Sequence, residues 1–205
     1  MIKSINRIVK TLIGADIIFL SAMGLIAPIF AIFVTQHIKG GDIKVAGFAA
    51  GIYLITKSIL ELPIGRFLDK TKGEKDDLYC LVIGYLIVAC VPFGYALASY
   101  AWHIYVLQGF YALGIAMAWP SWCAIFTRHI DKGKEALEWG LQDTSYGFGA
   151  GIAGAIGGVL VAKFGFDVVF IIVGIIALMG ALLPLIIHKE ITRGDKNYFR
   201  FLRRR

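Results

Sequence analysis

Six apolar stretches of about twenty residues each occupy most of the chain between Leu12 and Ile187. As an α-helix, a stretch of this length crosses the roughly 30 Å hydrocarbon core of a bilayer. Neighbouring membrane helices can satisfy the backbone groups that glycines and prolines inside such stretches leave unpaired. We therefore predict an all-α membrane protein with one domain over residues 1–205 and six transmembrane spans, at approximately 12–34, 45–64, 78–97, 102–126, 139–161 and 168–187.

The composition agrees with this prediction. Hydrophobic residues make up 58% of the chain and the mean hydropathy is +0.73, whereas ordinary soluble domains are about 45–50% apolar. The net charge of +7 comes from segments that flank the apolar stretches. It therefore indicates membrane topology rather than nucleic-acid binding, and we expect the chain to contact lipid.

Lysine and arginine are concentrated on one side of the predicted membrane domain. Of the 21 basic residues, 17 lie in the N-terminal segment, in the loops after spans two and four, and in the C-terminal segment. Cytoplasmic loops collect such residues. Both termini are therefore predicted to be cytoplasmic, and we expect a multi-pass protein of a prokaryotic plasma membrane.

The residue pattern gives no indication of catalysis. Cys80, Cys90 and Cys123 fall inside spans without metal-ligand spacing, so neither a metal site nor a disulfide is predicted. The sequence has no His-Glu-x-x-His motif, nucleophile elbow or phosphate-binding loop. We expect no enzyme activity and no cofactor.

The loop between spans two and three carries a distinctive polar pattern formed by Gly65, Asp69, Lys70 and Gly73. Gly65 would let the loop turn and approach a neighbouring helix closely. Asp69 could accept hydrogen bonds from a helix N-terminus, where the helix dipole favours an anion.

This pattern resembles the Gly-x-x-x-Asp-Arg/Lys-x-Gly-Arg signature between the second and third helices of the major facilitator superfamily, with one additional residue before Gly73. Span five resembles the glycine ladder of superfamily antiporters at Gly149, Gly154, Gly157 and Gly158. Small residues that let two helices pack closely explain the ladder equally well.

The resemblance implies one six-helix half of a twelve-helix transporter, built from 3+3 inverted repeats. A faint echo between residues 47–52 and 147–152 agrees with such repeats. Two copies facing the same way could form the whole transporter as a C2 homodimer. In that dimer, Asp69 would meet the start of span five of the partner.

The function that the resemblance implies is secondary active transport of a small organic solute by alternating access, coupled to an ion such as the proton. The glycine ladder resembles that of antiporters, but the residues do not decide between symport, antiport and uniport. The alternative hypothesis is a non-transporting membrane subunit that pairs with a different six-helix protein.

Three charged residues lie within predicted spans, where each charge costs about 2.5–3.5 kcal/mol. Asp16 and Lys57 could pair at similar depth, and Glu61 follows Lys57 by one helical turn. One interpretation makes Asp16 or Glu61 a proton carrier. The other is a structural salt bridge.

Two further sets of polar residues are candidate site residues. Tyr105, Gln108 and Trp119 share one stripe of span four and could line a substrate pathway, although ordinary helix packing explains each of them as well. Asp143, near the start of span five, could either stabilise the helix N-terminus or join a gate between subunits.

Overall fold

A computed structural model of the chain describes residues 5–70 and 73–192. Within these ranges the protein folds into seven α-helices and a short 3-10 helix, Leu183–Ile187. The α-helices are α1 (Arg7–Gly24), α2 (Phe30–His37), α3 (Ile43–Lys70), α4 (Lys75–Leu97), α5 (Ala101–His129), α6 (Glu135–Phe164) and α7 (Phe166–Leu182).

Five helical segments in the described part of the chain are long and apolar enough to cross a membrane. They coincide with predicted spans two to six. Several run past the predicted ends. For example, α3 continues six residues beyond Ile64 to Lys70, and α6 begins at Glu135, four residues before the predicted start. The chain is therefore an integral multi-pass membrane protein.

The predicted span 12–34 is not one continuous helix. It is divided into α1 and α2 by residues 25–29, which contain Pro28. Proline lacks the backbone N–H that a continuing helix needs. The chain bends here through i to i+3 bonds, in which the amides of Leu25 and Ile26 donate to the carbonyls of Ala22 and Met23.

Helix packing follows a regular order. α5 packs against α3 and α4, whereas α1 packs against α6 and α7, and α4 also packs against α7. A continuous apolar core fills the centre of this bundle, with Phe19, Phe33, Trp122, Phe126 and Phe170 fully buried.

Two helices are far less buried than the others. The most apolar windows of α3 and α6 are only 11% buried, compared with 44–50% for α4, α5 and the segment that contains α7. Large apolar side chains on α3 and α6, such as Phe48 and Phe148, are exposed. These two helices therefore form the outer faces of the bundle.

Candidate functional site

Asp16 lies at the centre of a buried polar network between three helices. The Tyr85 hydroxyl, on α4, donates to Asp16 Oδ1, and Gln142 Nε2, on α6, donates to Asp16 Oδ2 at 2.6 Å. Tyr85 also stacks on Phe19, with ring centroids 4.0 Å apart. The carboxyl group thus has two neutral donors and holds α1 against α4 and α6.

One oxygen of this network lacks a partner among the described residues. Gln142 Oε1 is buried and accepts no hydrogen bond from any of them. It lies on the same amide that donates to Asp16, so a rotation of the amide would offer an acceptor to a protonated carboxyl group. The network can therefore accommodate Asp16 both with and without a proton.

Lys57 and Glu61 form a separate ion pair on α3. Lys57 Nζ lies 3.0 Å from Glu61 Oε2, and about a quarter of each side chain is exposed. The predicted pairing of Asp16 with Lys57 is therefore wrong, because each residue has a different partner. Helical spacing explains the outcome, since Glu61 follows Lys57 by four residues on the same face.

Tyr53, one helical turn before Lys57 on α3, belongs to a group of three tyrosines that the sequence analysis did not select. The rings of Tyr53 on α3 and Tyr111 on α5 are 4.9 Å apart. The third, Tyr146 on α6, lines the same groove as Tyr111. The three rings come from positions far apart in the sequence, and no local spacing relates them.

The groove that Tyr111 and Tyr146 line lies between α1, α5 and α6 and has a volume of about 410 Å³. Its volume falls within the range of small-molecule sites. The remaining lining is apolar and mostly small: Leu20, Met23, Gly24, Ala27, Pro28, Ala150, Gly151, Gly154 and Ala155. The bend between α1 and α2 therefore forms one wall of the groove.

The predicted stripe on α5 does not form one open surface. Gln108 is buried in the bundle and Tyr105 is partly buried against the core, whereas Trp119 is 43% exposed. The Trp119 indole stacks on Trp122, which is fully buried. For Tyr105 and Gln108, helix packing accounts for their positions.

The loop signature is largely helical. Gly65 lies inside α3, so it does not turn the chain as expected, and a Cβ added there would meet nothing within 4 Å. Asp69 and Lys70 are exposed on the last turn of α3, and Gly73 follows in the connection to α4. None of the described residues packs closely against Gly65. A helix that approached it closely would therefore have to come from outside the described residues.

Asp143 does not lie at the start of a helix. α6 begins at Glu135, eight residues earlier, and its first turn holds Glu135 and Glu138. Asp143 is therefore about 12 Å along the helix, too far for the N-terminal dipole to act on it. Its side chain is exposed on the outer face of the bundle.

The glycines of α6 divide between two faces. Gly149 and Gly157 pack so closely against α1 that an added Cβ would lie 2.2 Å from Ser21 Oγ and 2.4 Å from the Leu25 carbonyl oxygen, respectively. Gly154 faces Gly24 and Pro28 at ordinary contact distance. Gly158 faces open space, so the predicted packing role does not apply to it within the chain.

At the predicted cytoplasmic end, buried charges join the middle helices. Asp77, at the start of α4, is fully buried and accepts a hydrogen bond from Arg128 near the end of α5. Glu74 lies 3.5 Å from His129. Within residues 5–70 and 73–192, no cluster of three or more His, Cys, Asp or Glu side chains could hold a metal ion.

Comparison with known proteins identifies the architecture. A search of curated proteins gave no match. A sequence model of the Major Facilitator Superfamily matches residues 12–200, which include all of the predicted spans. Members of this family are membrane transporters. The chain belongs to the major facilitator superfamily.

Proposed function

We propose that this protein is a secondary transporter of a small organic solute, in which two copies form a homodimer that alternately opens a central cavity to each side of the membrane. In this proposal α1 and α2 together form span one, so that each copy supplies six spans. Proton movement through Asp16 drives the transport cycle.

The order of helix packing supports a 3+3 repeat within each copy. Exchanging span one with four, two with five and three with six relates the five largest helix contacts among the described residues: α1 with α6 becomes α5 with α3, α1 with α7 becomes α5 with α4, and α4 with α7 becomes itself. The echo at 47–52 and 147–152 contributes little, because Gly47 lies 4 residues after the start of α3, whereas Gly147 lies 12 after that of α6.

The observation that carries the homodimer is a match between the open faces of α3 and α6. Four positions on one face of α3, two of them glycine, are spaced 7, 4 and 7 residues apart, and four exposed glycines on α6 have the same spacing. Within residues 5–70 and 73–192, no atom lies within 4 Å of a Cβ added at any of the six glycines. The α3 positions are Gly47, Leu54, Ser58 and Gly65; the α6 positions are Gly140, Gly147, Gly151 and Gly158.

The two patterns are also in antiparallel register. Gly65 lies 5 residues before the end of α3 at Lys70, and Gly140 lies 5 residues after the start of α6 at Glu135. At the opposite end, Gly47 and Gly158 are both 23 residues from these termini. Two helices that run in opposite directions can therefore bring the four pairs together, and small residues let their backbones approach closely.

A two-fold axis along the membrane normal makes this contact twice, because each copy offers one α3 and one α6. Charges on the two faces are complementary as well. Arg66 lies about 6 Å from the end of α3 and Asp143 about 12 Å from the start of α6, within the reach of a long arginine side chain. Asp69 would lie beside the first turn of the partner's α6, as the loop signature implies.

Disulfide formation between two single-cysteine variants tests this interface. In a chain with Cys80, Cys90 and Cys123 replaced by alanine, Gly65→Cys and Gly140→Cys are made separately, given different tags and co-expressed. We expect oxidation in the membrane to give a product of twice the mass that carries both tags. Either variant expressed alone should give little crosslinked dimer, because the proposed contact places position 65 of one copy against position 140 of the other.

Ile83→Cys supplies the matched control, since Ile83 is exposed on α4, away from both faces. It should not crosslink to either variant. A mixed product no more abundant than with this control would contradict the homodimer. Efficient crosslinking to a different co-purified six-helix protein would instead support the interaction-subunit hypothesis.

A further inference from the structure

We propose, on the basis of the transport function above, that the tyrosine-lined groove and the Lys57–Glu61 pair together form the substrate site, and that the substrate is an aromatic zwitterion of the α-amino-acid type. The groove would hold the aromatic ring and the ion pair would hold the charged head.

The groove fits a flat apolar group. Its volume in one copy is about 410 Å³, its walls on α1 and α6 are mostly small apolar side chains, and Tyr111 and Tyr146 supply aromatic surfaces. Gly151 is the one lining residue that the proposed dimer also places against α3 of the partner. Aromatic rings prefer offset or edge contacts with other rings. The phenol hydroxyl groups are the polar groups of this lining, so the groove itself selects for shape and apolar surface rather than for charge.

Charge selection comes from α3. Tyr53 lies between the groove and the ion pair, because its ring centroid is 4.9 Å from that of Tyr111 and it precedes Lys57 by one helical turn on the same face of α3. Lys57 and Glu61 have opposite charges, so this site carries no net charge. A solute with a single net charge would have to displace one member of the pair and would leave an unbalanced charge inside the membrane.

A zwitterion avoids this imbalance and also matches the dimensions of the pair. From standard covalent geometry, the ammonium nitrogen and the nearer carboxylate oxygen of an α-amino acid are about 2.7 Å apart. Lys57 Nζ and Glu61 Oε2 are 3.0 Å apart. Placed head to tail, the two pairs form a compact group of four charges in which each charge contacts an opposite one.

Three ligands that share a phenyl ring separate the charge requirements: phenylalanine, phenethylamine and 3-phenylpropionate. Equilibrium binding of each labelled ligand is measured with the full-length protein in nanodiscs. We expect phenylalanine to bind at least about tenfold more tightly than the other two, since a charge-assisted hydrogen bond typically contributes this much or more.

Variants of the pair should change this preference in opposite directions. Lys57→Met should make phenethylamine the preferred ligand, and Glu61→Gln should favour 3-phenylpropionate. The double exchange Lys57→Glu with Glu61→Lys should restore the preference for phenylalanine. A purely structural ion pair would not produce this reversal, and the double exchange shows that a variant with weak binding has not merely misfolded.

The groove is tested by Tyr111→Ala and Tyr146→Ala, with Tyr111→Phe and Tyr146→Phe as matched controls that keep the ring. The alanine variants should bind phenylalanine several-fold more weakly than the phenylalanine variants. Equal binding of all three ligands to the unaltered protein, or a preference that the Lys57 and Glu61 variants leave unchanged, would overturn the inference.

Transport assays separate failure of this inference from failure of the proposed function. Uptake of other solutes into proteoliposomes, unaffected by the variants of the pair and the groove, would overturn the substrate assignment and leave the transporter proposal intact. Absence of both binding and uptake across a broad panel of solutes would overturn both.

Discussion

Two acidic side chains inside the membrane helices, Asp16 and Glu61, have different surroundings. Glu61 has a cationic neighbour 3.0 Å away in Lys57, which compensates its charge. Asp16 is 3% exposed, and its hydrogen bonds to other described residues come from the neutral groups of Tyr85 and Gln142. A buried carboxylate without a cation is stabilised by binding a proton. At the residue scale, Asp16 is therefore the stronger candidate for coupling.

Asp16→Asn tests this role, because asparagine keeps the size and polarity of the side chain but cannot release a proton. We expect uptake driven by an imposed proton gradient to fall at least about tenfold, a loss typical of removing a group that transfers protons. Exchange of solute at equal pH on both sides should remain, since that exchange does not require proton release. Both are measured in proteoliposomes with the same labelled solute.

The matched control is Asp167→Asn, which removes an exposed carboxylate from the first turn of α7. It should leave gradient-driven uptake unchanged. Gradient-driven uptake retained by Asp16→Asn, with the pH dependence of the unaltered protein, would rule out Asp16 as the carrier.

At the scale of elements, α6 uses its glycines for two different purposes. Gly149 and Gly157 face the first span, where the Ser21 side chain and the Leu25 backbone, respectively, leave no room for a side chain. Gly147 and Gly158 face open space. The first face fixes the fold of one copy, and we propose that the second receives α3 of the partner.

Substitutions at adjacent positions should separate these two purposes. Gly157→Ala places a methyl group against the Leu25 carbonyl oxygen, so the free energy of unfolding in detergent should fall by about 1–3 kcal/mol. At Gly158 an added Cβ meets no atom within 4 Å in the described part of the chain, so Gly158→Leu should leave that quantity nearly unchanged. It should instead weaken self-association in liposomes, measured by energy transfer between labelled copies.

The contrast between the two variants is the informative result. Equal loss of unfolding free energy in both would mean that the open face of α6 packs within one copy. Unchanged self-association in Gly158→Leu would argue against the proposed contact with α3.

The sequence predicted spans two to six because a long apolar stretch in a bilayer has few alternatives to a helix. The division of span one was not predicted, since proline is tolerated in membrane helices and only tertiary packing shows whether the helix bends there. Long-range pairings were missed for a related reason. Gln142 and Asp16 are 126 residues apart, and no local spacing in the sequence relates them.

At the scale of the whole molecule, the proposed interface requires that both copies face the same way. α3 and α6 run in opposite directions relative to the membrane, so α3 of one copy meets α6 of a parallel copy in antiparallel register. An inverted copy would present its α6 parallel to α3, and the matched glycine pairs would no longer coincide. The distribution of basic residues favours a single orientation.

Cysteine labelling on intact cells tests that orientation. In the background without native cysteines, Ser99→Cys marks the connection between α4 and α5, and Lys132→Cys marks the connection between α5 and α6; both positions are exposed. We expect a membrane-impermeant maleimide to label Ser99→Cys fully on intact cells and Lys132→Cys only after permeabilisation. Because Lys132→Cys retains 16 of the 17 basic residues on the predicted cytoplasmic side, it should not change the topology. Partial labelling of both sites on intact cells would indicate two orientations and would contradict a homodimer built on the α3–α6 register.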